Sequence, residues 1–127
     1  MPRLRTDIVK LLNASVQNKL NKVKIKWNKE KCMTAVLCSK GYPKNPISNK
    51  KINLRNIKLT KKSFIFHAGT KIKDGMLFSN GGRVLNIVVL GNSFLKIRNQ
   101  ILNLIKKINW KYGFFRRDIG WRVIKKK

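Results

Sequence analysis

Acidic residues are the scarcest charged groups in this chain. Its 127 residues include 4 Asp and Glu against 31 Lys and Arg, and a single histidine, His67. The four carboxylates, Asp7, Glu30, Asp74 and Asp118, are too few and too scattered to build the paired carboxylates of acid–base catalysis or a magnesium site. We therefore expect no catalytic residue and no metal site within this sequence.

Cysteine and long apolar runs are scarce as well. Cys32 and Cys38 are the only cysteines, and two thiols six residues apart in an apolar segment form neither a disulfide framework nor a typical zinc site. We expect both to be buried free thiols. No apolar run reaches the ~18 residues of a membrane span, and no secretory signal is visible, so we expect a cytoplasmic protein without a membrane partner.

The net charge of +27 is the strongest feature that is present. Such a charge favours an anionic partner, so a basic nucleic-acid-binding or ribosome-associated protein is one hypothesis. However, 23 Lys against 8 Arg are spread along a chain with 14 Asn and 14 Ile, a composition to which AT-rich coding sequences drift. Aromatic residues do not alternate with the basic ones as a stacking surface requires. We expect non-specific nucleic-acid binding at low salt in either case.

Hydrophobic periodicity predicts both helices and strands. Apolar residues at helical spacing predict an amphipathic helix over residues 4–20 and a second helix from Phe94 to Ile108, capped by Asn92 or Ser93. Apolar runs and alternation predict strands over 22–27, 32–38, 63–68, 83–90 and 119–124. Residues 44–62 are predicted to be a long connection with at most one short strand. This order, without regular βαβ alternation, predicts an α+β fold.

Residues 66–91 contain five of the eight glycines and the best candidate site. Lys-Asp-Gly at 73–75 and Asn-Gly-Gly at 80–82 predict tight turns. The amides of Gly81 and Gly82 can form an anion nest beside Arg83, whose guanidinium can fork onto a phosphate. The competing interpretation is that Arg83 only caps a hairpin.

Three further residues are secondary candidates. His67, at the end of a predicted strand, is either a structural hydrogen-bonding residue or part of the site. Arg116 and Arg117 are either surface charges or phosphate ligands, and we expect Asp118 to pair with Arg117 and orient it.

Five segments resemble a known family, in order and in register. They are PRLRTDIVKLL at 2–12, SKGYP at 39–43, FHAGT at 66–70, SNGGRVLN at 79–86 and FFRRDIGWR at 114–122. Together they resemble the C-terminal portion of phosphoribosylamine–glycine ligase, an enzyme of purine biosynthesis. The resemblance implies a small antiparallel β-barrel or sandwich, of the type found at the C-terminus of ATP-grasp ligases, with one packed helix. It also implies that residues 1–30 end an ATP-grasp domain and that 31–127 form the ligase C-terminal domain.

The family resemblance also implies partners. Complete ligases join glycine to 5-phosphoribosylamine with ATP and magnesium, whose ligands belong to the ATP-grasp domain. The acidic motif of that domain would precede residue 2, so we expect no cofactor in this chain and no activity without an N-terminal ATP-grasp partner. The resemblance then implies that Arg83, Gly81 and Gly82 bind the 5-phosphate of phosphoribosylamine, or that Arg83 contacts an adjoining active-site loop. A non-functional relic of such a ligase is the third hypothesis.

Overall fold

Two long antiparallel strands form the middle of the main sheet. They are β1 (Lys31–Ser39) and β6 (Arg83–Gly91). β6 is rich in the β-branched residues Val and Ile, which favour strands, and β1 alternates buried residues with more exposed ones. The edges of this sheet are β3 (Ser63–His67) beside β6 and β7 (Gly113–Phe114) beside β1. The structure is a computed structural model that describes residues 1–125. The predicted strands over 32–38, 63–68 and 83–90 are confirmed.

Helix α2 (Phe94–Ile108) packs on one face of this sheet and closes the core. The sheet contributes alternate buried residues of β1 and β6, namely Met33, Ala35, Leu37, Leu85, Ile87 and Val89. The helix contributes the predicted apolar stripe, with Ile97, Ile101, Leu104, Ile105 and Ile108 all buried. Ser93, one of the two predicted caps, occupies the N-cap position but makes no side-chain capping hydrogen bond, and Asn109 ends the helix in the left-handed conformation.

A second, three-stranded sheet has the order β2 (Lys51–Ile52), β5 (Met76–Ser79), β4 (Thr70–Lys73). The predicted turn at 73–75 joins β4 to β5. Asp74 and Gly75 both have positive φ, 51° and 68°, as a two-residue type I′ hairpin requires. Ile52 of β2 is buried in the same hydrophobic core as the residues of β1, β6 and α2. The hairpin strands themselves were not predicted, because four-residue segments are too short to show a clear period.

The predicted α+β class is confirmed. Both sheets are antiparallel, and the long helix α2 packs against the core. The two sheets fit the sandwich form of the prediction, whereas the strands within residues 1–125 do not close into a barrel. The connection over 44–62 is confirmed and contains one short strand, β2.

The N-terminal helix is shorter than predicted. Helix α1 covers Ile8–Val16 instead of 4–20. It begins late because Asp7 caps it, accepting a hydrogen bond of 2.8 Å from the amide of Val9, while the residues before Asp7 bond to residues 26–28. It ends early because Asn18 has a positive φ of 54°.

The predicted strand over 22–27 is wrong. A 3-10 turn occupies Leu20–Lys22, and the rest makes only an isolated bridge between Leu4 and Trp27. The pairing cannot extend, because the facing segment turns into α1 at Ile8 after a few extended residues.

The predicted strand over 119–124 is wrong as well. Gly120 has a left-handed φ of 76°, which reverses the chain and starts the short helix α3 (Trp121–Ile124). The edge partner of β1 is instead β7, where Gly113 and Phe114 face Ser39 and Cys38.

Three remaining expectations concern the chain as a whole. Both cysteines are free, as predicted, but they are half-buried rather than fully buried, because they point away from the α2 side of β1. Among residues 1–125, no helix is long and apolar enough to cross a membrane. The division into 1–30 and 31–127 stays a prediction.

The interface between α2 and the sheet is expected to dominate folding stability. Ile101 is fully buried, whereas Leu95 on the same helix is 51% exposed. We expect Ile101→Ala to lower the free energy of unfolding by about 2–5 kcal/mol, because it leaves a cavity. The matched Leu95→Ala change is expected to cost less than about 1 kcal/mol. Urea unfolding followed by circular dichroism measures both, and equal losses would contradict this packing.

Candidate anion-binding cleft at Arg83

Two chain segments meet closely where β5 turns into β6. The amide of Gly69 donates to the Arg83 carbonyl at 2.8 Å, and the Asn80 amide donates to the Gly69 carbonyl at 2.7 Å. A Cβ on Gly69 would lie 2.8 Å from that Arg83 carbonyl oxygen. Only glycine therefore fits at position 69, where it holds the Asn80–Gly82 turn against the end of β3.

The ring of Tyr42 covers the other side of this turn. A Cβ on Gly82 would lie 2.0 Å from Tyr42 Cδ2, so the aromatic ring rests directly on the Gly82 backbone. The Gly82 carbonyl accepts from the amide of Ser39 at 2.8 Å, which ties the turn to the end of β1. The segment 39–43 and the turn at 80–82 are thus one structural unit.

An open cleft of about 490 Å³ lies at this unit. Its lining residues are Val36, Tyr42, Ala68, Gly69, Gly82, Arg83 and Asn86. The Arg83 side chain is exposed and bonds to no acceptor in the described part of the chain. The amides of Gly81 and Gly82 likewise donate to no acceptor within residues 1–125. Hairpin capping by the Arg83 guanidinium is therefore not observed, and three donor groups remain available to an anion.

A β-bulge fixes the direction of the Arg83 side chain. Leu37 faces Leu85, but Cys38 faces Arg83, so Val84 is the extra residue of β6. Val84 and Leu85 are consecutive and both fully buried. In a regular strand, consecutive side chains point to opposite faces of the sheet, so they would not both be buried on one face. Bulges re-aim side chains in this way. Arg83 then lies opposite Cys38, whose neighbours on the same strand face are Val36 and Thr34.

The positive charge of Arg83 acts on Cys38. Burial raises the pKa of the Cys38 thiol above its ordinary value, and the nearby Arg83 guanidinium partly lowers that pKa again. Burial also raises the pKa of the Cys32 thiol, and the positive charges of the N-terminus and Arg3 partly lower that pKa again. Because folding raises both pKa values, the thiols favour the folded state at neutral pH and lose this contribution as alkaline pH ionises them.

His67 does not line the cleft. It is paired with Leu85 across β3 and β6. Its side chain therefore lies on the Leu85 face of the sheet, whereas Arg83 lies on the opposite face. Its Nδ1 lies 3.1 Å from Thr70 Oγ1, a contact that fits the structural interpretation.

The two other arginines point to different places. Arg116 forms a two-bond ion pair with Asp118, at 3.1 and 2.8 Å, so the expected pairing of Asp118 with Arg117 is wrong. Asp118 lies two residues after Arg116, and its carboxylate reaches back to the Arg116 guanidinium. The backbone carbonyl of Arg117 instead accepts a hydrogen bond from Arg98 Nη2. This pair lowers the pKa of Asp118, chiefly through the hydrogen bonds from Arg116.

Tyr42 connects the Arg83 cleft to a neighbouring apolar cavity of about 280 Å³. That cavity is lined by Arg116 and by Tyr42, Val36 and Cys38, together with Phe114 and Ile119. Arg83 and Arg116 therefore flank one continuous sheet face. The sequence motifs contain Tyr42, but no spacing rule places residue 42 next to residue 82, so its role was not predicted.

Metal ligation finds no support in the geometry. Within residues 1–125, no three His, Cys, Asp or Glu side chains lie together as a metal site would need. What the cleft offers is hydrogen-bond donors and positive charge, which suit a phosphate or carboxylate group.

Fold and cleft together define a class: a basic α+β domain that presents a glycine turn and an exposed arginine on the sheet face opposite its helix. Residues 32–122 match the family described as phosphoribosylglycinamide synthetase, C domain. The chain belongs to this family.

Individual relatives agree with this assignment. The chain is 38% identical over 125 residues to phosphoribosylamine–glycine ligase of Agrobacterium fabrum, covering 98% of this chain and 29% of that protein. It is 36% identical over 127 residues to the Brucella melitensis ligase, covering 99% and 30%. The crystal structure of the Thermotoga maritima ligase superposes with a TM-score of 0.65 at 29% identity, covering 84% of this chain and 27% of that chain. The chain thus spans about 30% of the length of these curated relatives.

Contact between Tyr42 and Gly82 can be tested by a double-mutant cycle. We expect Gly82→Ala to destabilise the fold by about 1–3 kcal/mol, because its Cβ collides with the ring. Adding Tyr42→Ala is expected to remove most of that penalty, so the two changes are not additive. Thermal unfolding of both single variants and the double variant measures this, and strict additivity would show that the ring does not rest on Gly82.

Thiol alkylation tests how near Arg83 lies to Cys38. We expect Arg83→Gln to slow the reaction of Cys38 with iodoacetamide at pH 8 about twofold, because losing the cation raises the thiol pKa and lowers the thiolate fraction. Cys32 is the control in the same chain, since other cations act on it. Peptide mass spectrometry separates the two rates. An unchanged rate at Cys38, or an equal change at Cys32, would contradict the proximity.

Proposed function

We propose that this chain acts as the C-terminal domain of a phosphoribosylamine–glycine ligase and contributes a phosphate-binding group to its active site. The observation that carries the proposal is the exposed Arg83 side chain beside the amides of Gly81 and Gly82, which have no acceptor within residues 1–125. A phosphate accepts several hydrogen bonds at once, and arginine with backbone amides is a common way to supply them. The ligand would be the 5-phosphate of phosphoribosylamine. Arg116, across Tyr42 from Arg83, is the second candidate for a substrate contact, whereas His67 serves the structure of the hairpin.

The proposed reaction needs an N-terminal partner. The relatives are more than three times as long as this chain, and in this proposal ATP, magnesium and the activation of glycine belong to the part that it does not match. The chain itself would bind, orient and enclose the phosphoribosyl group. We place this assembly in the cytoplasm.

Helix α1 offers a surface for that partner. Ile8, Val9, Leu12 and Val16 are all exposed and follow helical spacing, so they form one stripe, here called the α1 stripe. Leu11 and Ala14, on another side of the helix, are half-buried. An exposed apolar stripe is typical of a protein interface, and we assign it to the N-terminal ATP-grasp part of the ligase.

The competing nucleic-acid hypothesis rests on charge alone. Neither the fold nor the cleft adds an aromatic stacking surface or a groove-reading element to it, and the relatives described above are ligases.

Reconstitution tests the catalytic proposal. We expect no ligase activity from the isolated chain, and glycine- and phosphoribosylamine-dependent ADP release when it is co-expressed with the N-terminal ATP-grasp part of the Agrobacterium fabrum ligase. Arg83→Gln should raise the KM for phosphoribosylamine about 10- to 100-fold, the value of a charge-assisted hydrogen bond, and Arg83→Lys should recover part of it. Arg55→Gln, in an exposed loop, is the control. Activity of the isolated chain, or an unaffected Arg83→Gln complex, would refute the proposal.

Association tests the α1 stripe separately. Leu12 and Val16 are 58% and 85% exposed, so replacing both with Gln should leave folding unchanged. We expect the double variant to bind the N-terminal ligase part about tenfold more weakly, because it loses buried apolar area. Lys10→Gln, on the opposite side of α1, is the matched control. Isothermal titration calorimetry measures both, and wild-type affinity for the double variant would remove the stripe from the interface.

A further inference from the structure

Asn86 is the one polar residue in the buried part of β6. The residues on either side of it, 84–85 and 87–90, are all buried and apolar, whereas Asn86 is half-buried. Asparagine is among the residues that strands disfavour, and its two cross-strand neighbours, Val36 and Phe66, are apolar. Neither the strand nor its packing therefore accounts for a side-chain amide at this position.

The side chain of Asn86 is accessible to a ligand. The backbone of this residue is held between β1 and β3 by its pairs with Val36 and Phe66. The side-chain amide forms no hydrogen bond within residues 1–125, and it is open to solvent because it lines the Arg83 cleft. An amide offers both an acceptor oxygen and two N–H donors. A ligand in the cleft thus meets both kinds of group at one residue.

The β-bulge sets the spacing between Asn86 and Arg83. Across the β1–β6 pair, Cys38 faces Arg83 and Val36 faces Asn86. Since Cys38 and Val36 are two residues apart on β1, these positions lie on the same face and about 7 Å apart along the strand. A regular strand would instead place residues three positions apart, such as 83 and 86, on opposite faces. The bulge therefore brings the guanidinium and the amide into one cleft.

The cleft combines one cation with one neutral amide. Arg83 is its only charged lining residue among residues 1–125, and the lining residues other than Arg83 and Asn86 are aromatic, small or apolar. A second cation would favour a second anionic group, whereas an amide bonds to neutral hydroxyl groups. This combination suits a ligand that carries a phosphate at one end and hydroxyl groups at the other.

We propose that Asn86 binds the 2- and 3-hydroxyl groups of the ribose whose 5-phosphate lies at Arg83. This inference rests on the function proposed for Arg83 and adds the sugar specificity of the same cleft. The two hydroxyls lie on the same side of a ribose ring, so the amide oxygen accepts from one and the amide nitrogen donates to the other. The ribose ring and its 5-carbon span about the distance that separates Asn86 from Arg83.

Calorimetric titration of the full chain with three sugar phosphates tests the proposal. The ligands are ribose 5-phosphate, 2-deoxyribose 5-phosphate, which lacks one hydroxyl, and arabinose 5-phosphate, whose 2-hydroxyl points to the other side of the ring. We expect ribose 5-phosphate to bind about fivefold more tightly than the other two, the effect of one neutral hydrogen bond. Asn86→Ala should bind all three with similar affinity. Asn86→Val, which also removes the amide but suits a strand, should give the same result.

Two control variants separate Asn86 from the phosphate site. Arg83→Gln should weaken the binding of all three ligands at least tenfold, as the loss of a charge-assisted hydrogen bond does, and keep the preference for ribose. Thr34 is exposed on the same sheet face but does not line the cleft, so Thr34→Ala should bind like the parent chain. In the reconstituted ligase, Asn86→Ala should raise the KM for phosphoribosylamine about fivefold.

The outcomes distinguish a failure at Asn86 from a failure at Arg83. A preference for ribose that persists in both Asn86 variants would overturn the role of Asn86. Equal binding of the three ligands by the parent chain, weakened by Arg83→Gln, would overturn it as well and leave the phosphate site intact. If the parent chain binds none of the three, or Arg83→Gln binds them normally, the phosphate site at Arg83 fails and the ribose contact fails with it.

Discussion

The pairing of β1 with β6, including its bulge, is the constraint on which the rest of this structure depends. Before the bulge, alternate residues of both strands form the buried face that α2 covers. At the bulge, Val84 is inserted opposite Leu37 and Cys38, so β6 keeps Val84 and Leu85 buried and still turns Arg83 outward. The same bulge therefore keeps two apolar side chains in the core and leaves Arg83 at the cleft. Without it, either a valine would lie in the cleft or the arginine would lie in the core.

The region around the bulge is held by glycines for steric reasons. Gly69 and Gly82 have no room for a Cβ, because a carbonyl and the Tyr42 ring occupy that space. Three segments distant in sequence, near residues 42, 69 and 82, thus pack closely, with the Tyr42 ring resting on the Gly82 backbone. Close packing fixes the Asn80–Gly82 backbone beside the cleft, so the amides of Gly81 and Gly82, which donate to no acceptor within residues 1–125, would need little reorganisation to receive an anion.

Much of the fold could be predicted from the sequence, and the failures have physical causes. The strands at 31–39, 63–67 and 83–91 and the helix at 94–108 have strong apolar periods, which the tertiary fold preserves. The strand predicted over 22–27 has a suitable alternation but no partner strand of sufficient length. At 119–124, the single left-handed Gly120 outweighs the apolar pattern. Arg83 could be named as a candidate because the turn signal and the charge are local, and its role stays a prediction. The contact of Tyr42 with Gly82 and the pairing of Arg116 with Asp118 depend on contacts that no spacing encodes.

The most direct test of the central claim is a titration of the isotope-labelled chain with ribose 5-phosphate, followed by nuclear magnetic resonance of backbone amides and arginine Nε groups. The account predicts saturable shifts at Gly81, Gly82 and the Arg83 Nε that disappear in Arg83→Gln and are absent with ribose. Shifts distributed over the lysines, or centred on residues remote from the 80–83 turn, would contradict it.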